Sequence, residues 1–417
     1  MVESNSPSES YAFPTYKEGE KQIVIVSGVP TELVYQRCSR CIQDSTIPGI
    51  SFNDQGVCNF CHLHDKMAHD FPNDERGAKL LEEKLEKIRV QGKGKKYDCV
   101  VGISGGRDSM FLLYLAAKRW GLRPLAVHFN DGFDNPVGGE NMFKAVRRLG
   151  VDLRTITSDF RECKDLKIAE LKASTPLLNT GTDVGIGASI YSVACKEGVK
   201  NILFGQSFRT EGIKPISWAY FNGDYLKAVQ KKFGSGTMRP WKPDDAGYHL
   251  GFKEMAYYTV VKGIKVLAPL YYFPYVRKEA EEILKSEFDW VYPGGHYYDD
   301  LYWALIVHVH RVKFNVDLRL NSYSALVRSG QMDRDEALKA VKEKYVIEDP
   351  NIIRLCIKRL GITREDFDEY MKIPATHFTD HSNCYAKLKA FKVPIQIMTW
   401  LNFFPQAVYD KYFNCGI

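Results

Sequence analysis

The pattern of apolar and polar positions changes period near residue 97. Upstream, residues 75–90 alternate charged and apolar positions so that Leu80, Leu81, Leu85 and Ile88 fall on one face of a predicted amphipathic helix. Residues 91–96 (QGKGKK) break that pattern and read as a hinge or linker. From residue 97, short apolar runs alternate with longer helical stretches. Strands are predicted at 97–103, 125–129, 153–157, 201–204 and 265–272, and helices at 110–120, 141–149 and 184–196, with Gly121 and Gly198 as stop signals. Strands alternating with helices predict an α/β fold whose parallel sheet is covered on both faces. One apolar run near the start (23–26) has the length of an edge strand, and beyond residue 290 the chain reads as helical apart from the turn at 292–295.

The interval 205–258 is rich in Gly, Pro and aromatics with weak periodicity, which marks a functional or mobile segment. The expected organisation is an N-terminal extension (1–36), a cysteine module (37–65), a helix and linker (66–96), the α/β domain (97–290) and a helical C-terminal region (291–417).

Charge narrows the class of partner. Lys and Arg total 57 against 51 Asp and Glu, a net +6 that is too mild for a nucleic-acid binder but suits an anionic nucleotide substrate. No apolar stretch has the length to span a bilayer, and the first twenty residues lack the basic-then-apolar order of a signal peptide. A cytoplasmic location is expected, without membrane insertion.

Four of the ten cysteines cluster as Cys38-x-x-Cys41 and Cys58-x-x-Cys61. Each pair forms a tight knuckle that aims two thiolates at one point. Two knuckles complete a tetrahedron for Zn²⁺ and supply folding energy to a segment too short for its own core. Four protein ligands leave no open position, so the site is expected to be structural. The competing readings are free or redox cysteines, an iron–sulfur cluster, or exchange of one ligand for His62 or His64.

Ser104, Gly105, Gly106, Arg107, Asp108 and Ser109 (SGGRDS) lie between a predicted strand and a predicted helix. Glycines there let backbone N–H groups approach a polyphosphate, the helix N-terminus adds partial positive charge, and the two serines add hydroxyls. Asp108 is the expected partner of a Mg²⁺ ion bridging phosphate oxygens. The loop lacks the Gly-Lys-Ser/Thr ending of a Walker A motif.

SGGRDS resembles the PP-loop of the ATP-pyrophosphatase superfamily, whose domains have the adenine nucleotide alpha hydrolase-like fold. That resemblance implies cleavage of ATP to AMP and pyrophosphate, with an acceptor oxygen adenylylated on the way. It implies ATP contacts from Ser104 through Ser109, from His128 at the end of the second strand, where adenine and ribose are seated, and from Gly205 after the fourth strand. The cysteine module, the stretch 205–212 (GQSFRTEG), the 292–296 turn and the stretch 329–337 (SGQMDRDEA) are together similar to the N-acetyl sugar amidotransferases of bacterial surface-glycan pathways, including lipopolysaccharide O-antigen and flagellin glycans. The resemblance covers about residues 37–345. Arg107 departs from the lysine often found there, and the 294–298 stretch (GGHYY) has less histidine and lysine character than the family pattern.

The implied substrate is a nucleotide-linked N-acetylamino sugar whose amide becomes an acetamidino group. Glu211 is a candidate to orient ammonia or sugar. Arg209, Thr210, Lys214 and His296 are candidate substrate contacts, and Arg239 a further cation for a diphosphate. His308 and His310 sit in an apolar helical stretch and read as core residues, and Cys99 and Cys195 as small buried hydrophobes. Trp218, Tyr220 and Tyr225 are open between stacking on a ligand and packing. Residue 2 is Val and no Gly-x-Cys-x-Gly elbow occurs, so neither common glutaminase type is expected in this chain. Ammonia is expected from a separate glutaminase pair resembling HisH/HisF of histidine biosynthesis. The alternatives are a PP-loop tRNA thiolase, which shares paired CxxC zinc sites, and a non-catalytic nucleotide-binding scaffold.

Overall fold

The computed structural model describes residues 13–292, 300–343, 348–400, 409–410 and 412–413. A hairpin of β1 (Lys21–Val26) and β2 (Val29–Val34) opens the chain, so the apolar run at 23–26 pairs with its own neighbour in a two-stranded antiparallel sheet. The cysteine knuckles lead into α1 (Asn59–Asp70) and α2 (Glu75–Gly92). Asp74 caps α2 by accepting from the N–H groups of Arg76 and Gly77, and Leu81, Leu85 and Ile88 face the core.

The α/β unit then runs β3 (Cys99–Gly102), α3 (Arg107–Tyr114), β4 (Pro124–Asn130), α4 (Pro136–Leu149), β5 (Leu153–Thr157), α5 (Phe160–Ala173), α6 (Thr180–Lys196), β6 (Asn201–Leu203), α7 (Gly223–Phe233), α8 (Phe252–Ala256) and β7 (Lys265–Leu267). All five strands pair in parallel in the order β5-β4-β3-β6-β7. Successive residues of β3 enter different cores. Cys99 and Val101 pack with α3 and the cysteine module, while Val100 packs with Leu125, Val184 and Ile190 on the opposite face. Both faces are therefore buried, as near-continuous apolar strands require.

Chain direction across the sheet reverses at β3, which has β4 on one side and β6 on the other. In an open parallel sheet, the crevice beyond the strand C-termini at such a point is where ligands bind. The remainder is helical: α9 (Arg277–Phe288), α10 (Tyr302–Phe314), α11 (Leu318–Arg328), α12 (Arg334–Ala340), α13 (Pro350–Leu360), α14 (Arg364–Lys372), α15 (Tyr385–Ala390) and α16 (Lys392–Trp400). One continuous hydrophobic core joins the cysteine module, α3 and the helices from α9 to α14. Among the described residues, no helix is long and apolar enough to cross a membrane.

Candidate active site and cysteine centre

The loop after β3 turns at Gly105, whose φ of +81° favours glycine. A Cβ there would lie 2.1 Å from the carbonyl oxygen of Gly138 at the start of α4, so no side chain fits. The Gly105 carbonyl is fixed from the other side, accepting from the Trp290 indole (3.0 Å) and the Asn141 amide (3.3 Å). Ser109 Oγ lies 3.3 Å from Ser104 Oγ, tying the ends of the loop together. Gly106 forms the N-cap of α3, so the helix begins with N–H groups that no preceding turn satisfies.

This loop lines a cavity of about 1220 Å³. Ser104, Gly106, Arg107, Asp108 and Ser109 form one wall, His128 lies at the end of β4, and Gly205 and Glu211 stand on the segment that follows β6. Gly205 approaches so closely that an added Cβ would lie 3.0 Å from the Asp108 carbonyl oxygen. The expected ATP residues are therefore gathered at the crevice where the strand order reverses.

Arg107 is buried and committed to the protein. Its guanidinium donates to Asp108 (2.9 Å), the Tyr275 hydroxyl (3.1 Å) and Glu281 (2.9 Å). Tyr275 also donates to Asp108 Oδ1. Glu211 lies beside Asp108 in this cavity, and burial together with the Asp108 charge holds its carboxyl well above the usual carboxylate range. Two carboxyl groups sharing a buried site favour either a trapped proton or a cation. That chemistry fits Mg²⁺, for which Asp108 and Glu211 would supply hard oxygen ligands beside the phosphate loop.

His128 sits between two acceptors, the Ile103 carbonyl at Nδ1 (3.1 Å) and the Asp134 carboxylate at Nε2 (2.7 Å). Burial opposes charging of the ring, but the bond and charge of Asp134 outweigh it and raise the pKa. With both nitrogens engaged, His128 anchors the end of β4 rather than offering a nitrogen to a ligand. Nearby, buried Lys167 pairs with Asp131 (2.9 Å) and donates to Thr182 (2.9 Å).

The other candidates separate. Lys214 lines the cavity, with its ammonium over the Trp303 ring. Arg209 and Thr210 do not line it: Arg209 spends its guanidinium on the carbonyls of Tyr271 (2.7 Å) and Phe71 (2.8 Å), and Thr210 is buried within the turn. Arg239 pairs with Glu162 instead. His296 lies outside the described residues. Trp218 lines the cavity while its indole donates to Ser27, whereas Tyr220 and Tyr225 pack in an aromatic core with Phe378 and Tyr385. His310 is buried against the Pro176 carbonyl and held neutral by burial, its pKa lowered to about 4, whereas His308 pairs with Glu348.

The Sγ atoms of Cys38, Cys41, Cys58 and Cys61 all lie within 4.8 Å of one another and are fully buried. Neighbouring sulfurs are 3.6–3.8 Å apart. A tetrahedron with Zn–S bonds of about 2.3 Å has edges of about 3.8 Å, so the sulfur set fits a structural zinc ion. Neither His62 nor His64 joins this set. Sequence reasoning missed the partner of this centre. Arg328, at the end of α11, donates to Cys41 Sγ (3.1 Å) and Cys61 Sγ (3.3 Å), partly offsetting the thiolate charge. Arg334 donates to the carbonyls of Cys38 and Cys41 (2.9 and 3.1 Å). Both arginines flank or lie within the 329–337 stretch, whose role was legible only as part of a resemblance.

A family model described as LPS biosynthesis protein WbpG-like, C-terminal domain, matches residues 298–393. An uncharacterized protein of Methanocaldococcus jannaschii is 28% identical over 187 residues, covering 40% of this chain. The match spans 65% of that relative's length. The crystal structure of a predicted subunit of tRNA methyltransferase from the same organism is 17% identical, covers 45% of this chain and 73% of that one, and superposes with a TM-score of 0.24. Its resemblance is too loose to bear on function. The match to the WbpG-like model over residues 298–393 supports the likeness to the N-acetyl sugar amidotransferases read from the sequence.

Proposed function

We propose that the protein is an ATP-dependent amidotransferase that converts the N-acetyl group of a nucleotide-linked amino sugar to an acetamidino group in bacterial surface-glycan synthesis. The observation that carries the reading is the phosphate loop, with its Asp108 beside Glu211, in a cavity walled in part by the WbpG-like region, at Trp303 and Cys384. An amide carbonyl resists ammonia because its oxygen is a poor leaving group. In the proposed reaction, that oxygen attacks the α-phosphorus of ATP, pyrophosphate departs, and an O-adenylyl imidate forms. Ammonia then adds to the imidate carbon, and AMP leaves with the former amide oxygen.

The chain's task is alignment and charge neutralisation. The loop N–H groups and the serine hydroxyls hold phosphate oxygens. Asp108 and Glu211 would hold Mg²⁺, which offsets the triphosphate charge. Lys214, on the wall of the same cavity, would meet an anionic acceptor. Ammonia is supplied by a separate glutaminase pair resembling HisH/HisF, and the acceptor is UDP- or CMP-linked. A thiolase would need a reactive cysteine in this cavity. Among the described residues, Cys384 alone among cysteines lines it, and burial raises its pKa.

The test is product analysis with Mg-ATP, ammonium salt and a panel of UDP- and CMP-linked N-acetylamino sugars, beside bulk tRNA with sulfide. AMP and pyrophosphate formed only with a sugar, together with a product in which NH replaces O, are the expected result. Turnover with tRNA alone would transfer the case to the thiolase.

A further inference from the structure

The cysteine centre and the Glu211 segment are joined by a short chain of hydrogen bonds through α11, buried except at its Glu211 end. Gln43, between the two knuckles, is fully buried; it accepts from Arg328 and donates to Asn321 Oδ1 (3.3 Å). The Asn321 amide in turn donates to the Glu211 carbonyl at 2.7 Å. Two further bonds run beside it. The Ile42 N–H donates to Ser324 Oγ (3.3 Å), and Ser329 Oγ donates to the Arg209 carbonyl (2.8 Å).

The fit at the far end is tight. Gly212 has φ +77°, and a Cβ there would lie 2.8 Å from the Asn321 amide nitrogen and 2.9 Å from its carbonyl oxygen. Thus α11 touches the sulfur centre with Arg328 at its C-terminal end, and Asn321, two turns earlier, reaches the backbone of the residue paired with Asp108.

We infer that Asn321 is a positioning residue: through it, the zinc-filled cysteine centre sets the place of the Glu211 carboxyl opposite Asp108. The cysteine module is then a rigid footing for the active-site segment as well as a folding element. Gln43, Asn321 and Arg328 are buried, so a break among them leaves an unpaired polar group in the interior. The catalytic weight of this device rests on the proposed use of Glu211, whereas its mechanical part does not.

Two measurements separate these parts. The first is hydrogen exchange of full-length, zinc-loaded Asn321→Ala, followed over residues 205–214 without substrate. Loss of one buried bond is expected to speed exchange there about fivefold, with zinc content unchanged at one ion per chain. Gln43→Ala, cut at the other end, is expected to loosen the same segment, and the double variant no more than the worse single. Unchanged exchange at 205–214 in both zinc-loaded single variants would overturn the inference. The second measurement is the Mg²⁺ concentration for half-maximal AMP formation, expected to rise about fivefold in Asn321→Ala. A purely structural role for Asn321 would lower melting temperature and leave that concentration unmoved. The exchange result stands even for a chain inactive toward every sugar, so failure of the proposed reaction is distinguishable from failure of the relay.

Discussion

Two buried polar clusters lean on α11, and they are neutralised to different degrees. At the cysteine centre, three of the four sulfurs take bonds from Arg328, while backbone N–H groups of Arg40, Cys41 and Cys58 reach the fourth, Cys38 Sγ, at 3.3–3.4 Å. Every position is used. At the phosphate loop, Arg107 and Tyr275 satisfy one oxygen of Asp108, but Glu211 is left competing with it for a proton. A closed set of ligands is suited to holding structure, whereas a set with surplus negative charge is poised to take up a cation and its phosphates. Disrupting the first should act on folding, and disrupting the second on turnover.

The largest effect is expected at the closed centre. Cys58→Ser should abolish stoichiometric zinc binding and destabilise the chain by about 4–5 kcal/mol or more, read by metal content and thermal melting. Arg328→Met removes the cation shared by three thiolates and should cost about 3 kcal/mol while some zinc is retained. At the open site the sign of the comparison changes. Asp108→Asn should lower AMP formation on the order of a hundredfold with melting temperature nearly unchanged, because it also relieves the contest with Glu211. A large fall in melting temperature for Asp108→Asn would erase the distinction between the two clusters.

Both clusters announced themselves through local spacing. CxxC pairs and SGGRDS place their functional atoms within a few residues, so backbone geometry alone brings them together. The strand–helix alternation was equally legible, since β4 and β5 carry uninterrupted strand patterns. What escaped depends on contacts over long sequence distances. Arg328 reaches its sulfurs across 267–287 residues, and Tyr275 reaches Asp108 across 167. Helix α5 was passed over for a different reason. Its buried face carries Glu162, Lys167 and Glu170, so the apolar stripe that signals a helix is interrupted by polar residues satisfied only in the folded state. Arg209 misled in the opposite direction: a cation in a loop after a strand suggests an anion site, yet here it binds backbone carbonyls and stiffens the segment that carries Glu211.

The smallest predicted effect is a pH dependence that belongs to the open site alone. Because the folded pKa of Glu211 lies above its ordinary value near 4.3, the folded state favours the neutral carboxyl. The resulting stabilisation is fully present below the unfolded pKa and is lost as pH rises through the folded one. Wild-type stability should therefore decline with pH across that window relative to Glu211→Gln, which keeps a neutral, hydrogen-bonding side chain throughout. Chemical-denaturation midpoints taken at a series of pH values would show the two curves diverging as pH rises. Mg²⁺ should compress the divergence, since a cation between Asp108 and Glu211 performs the service of the proton and does not titrate away. Divergence that Mg²⁺ leaves untouched would mean that the pair holds a proton but no metal, and the comparison with the cysteine centre would then rest on Asp108 alone.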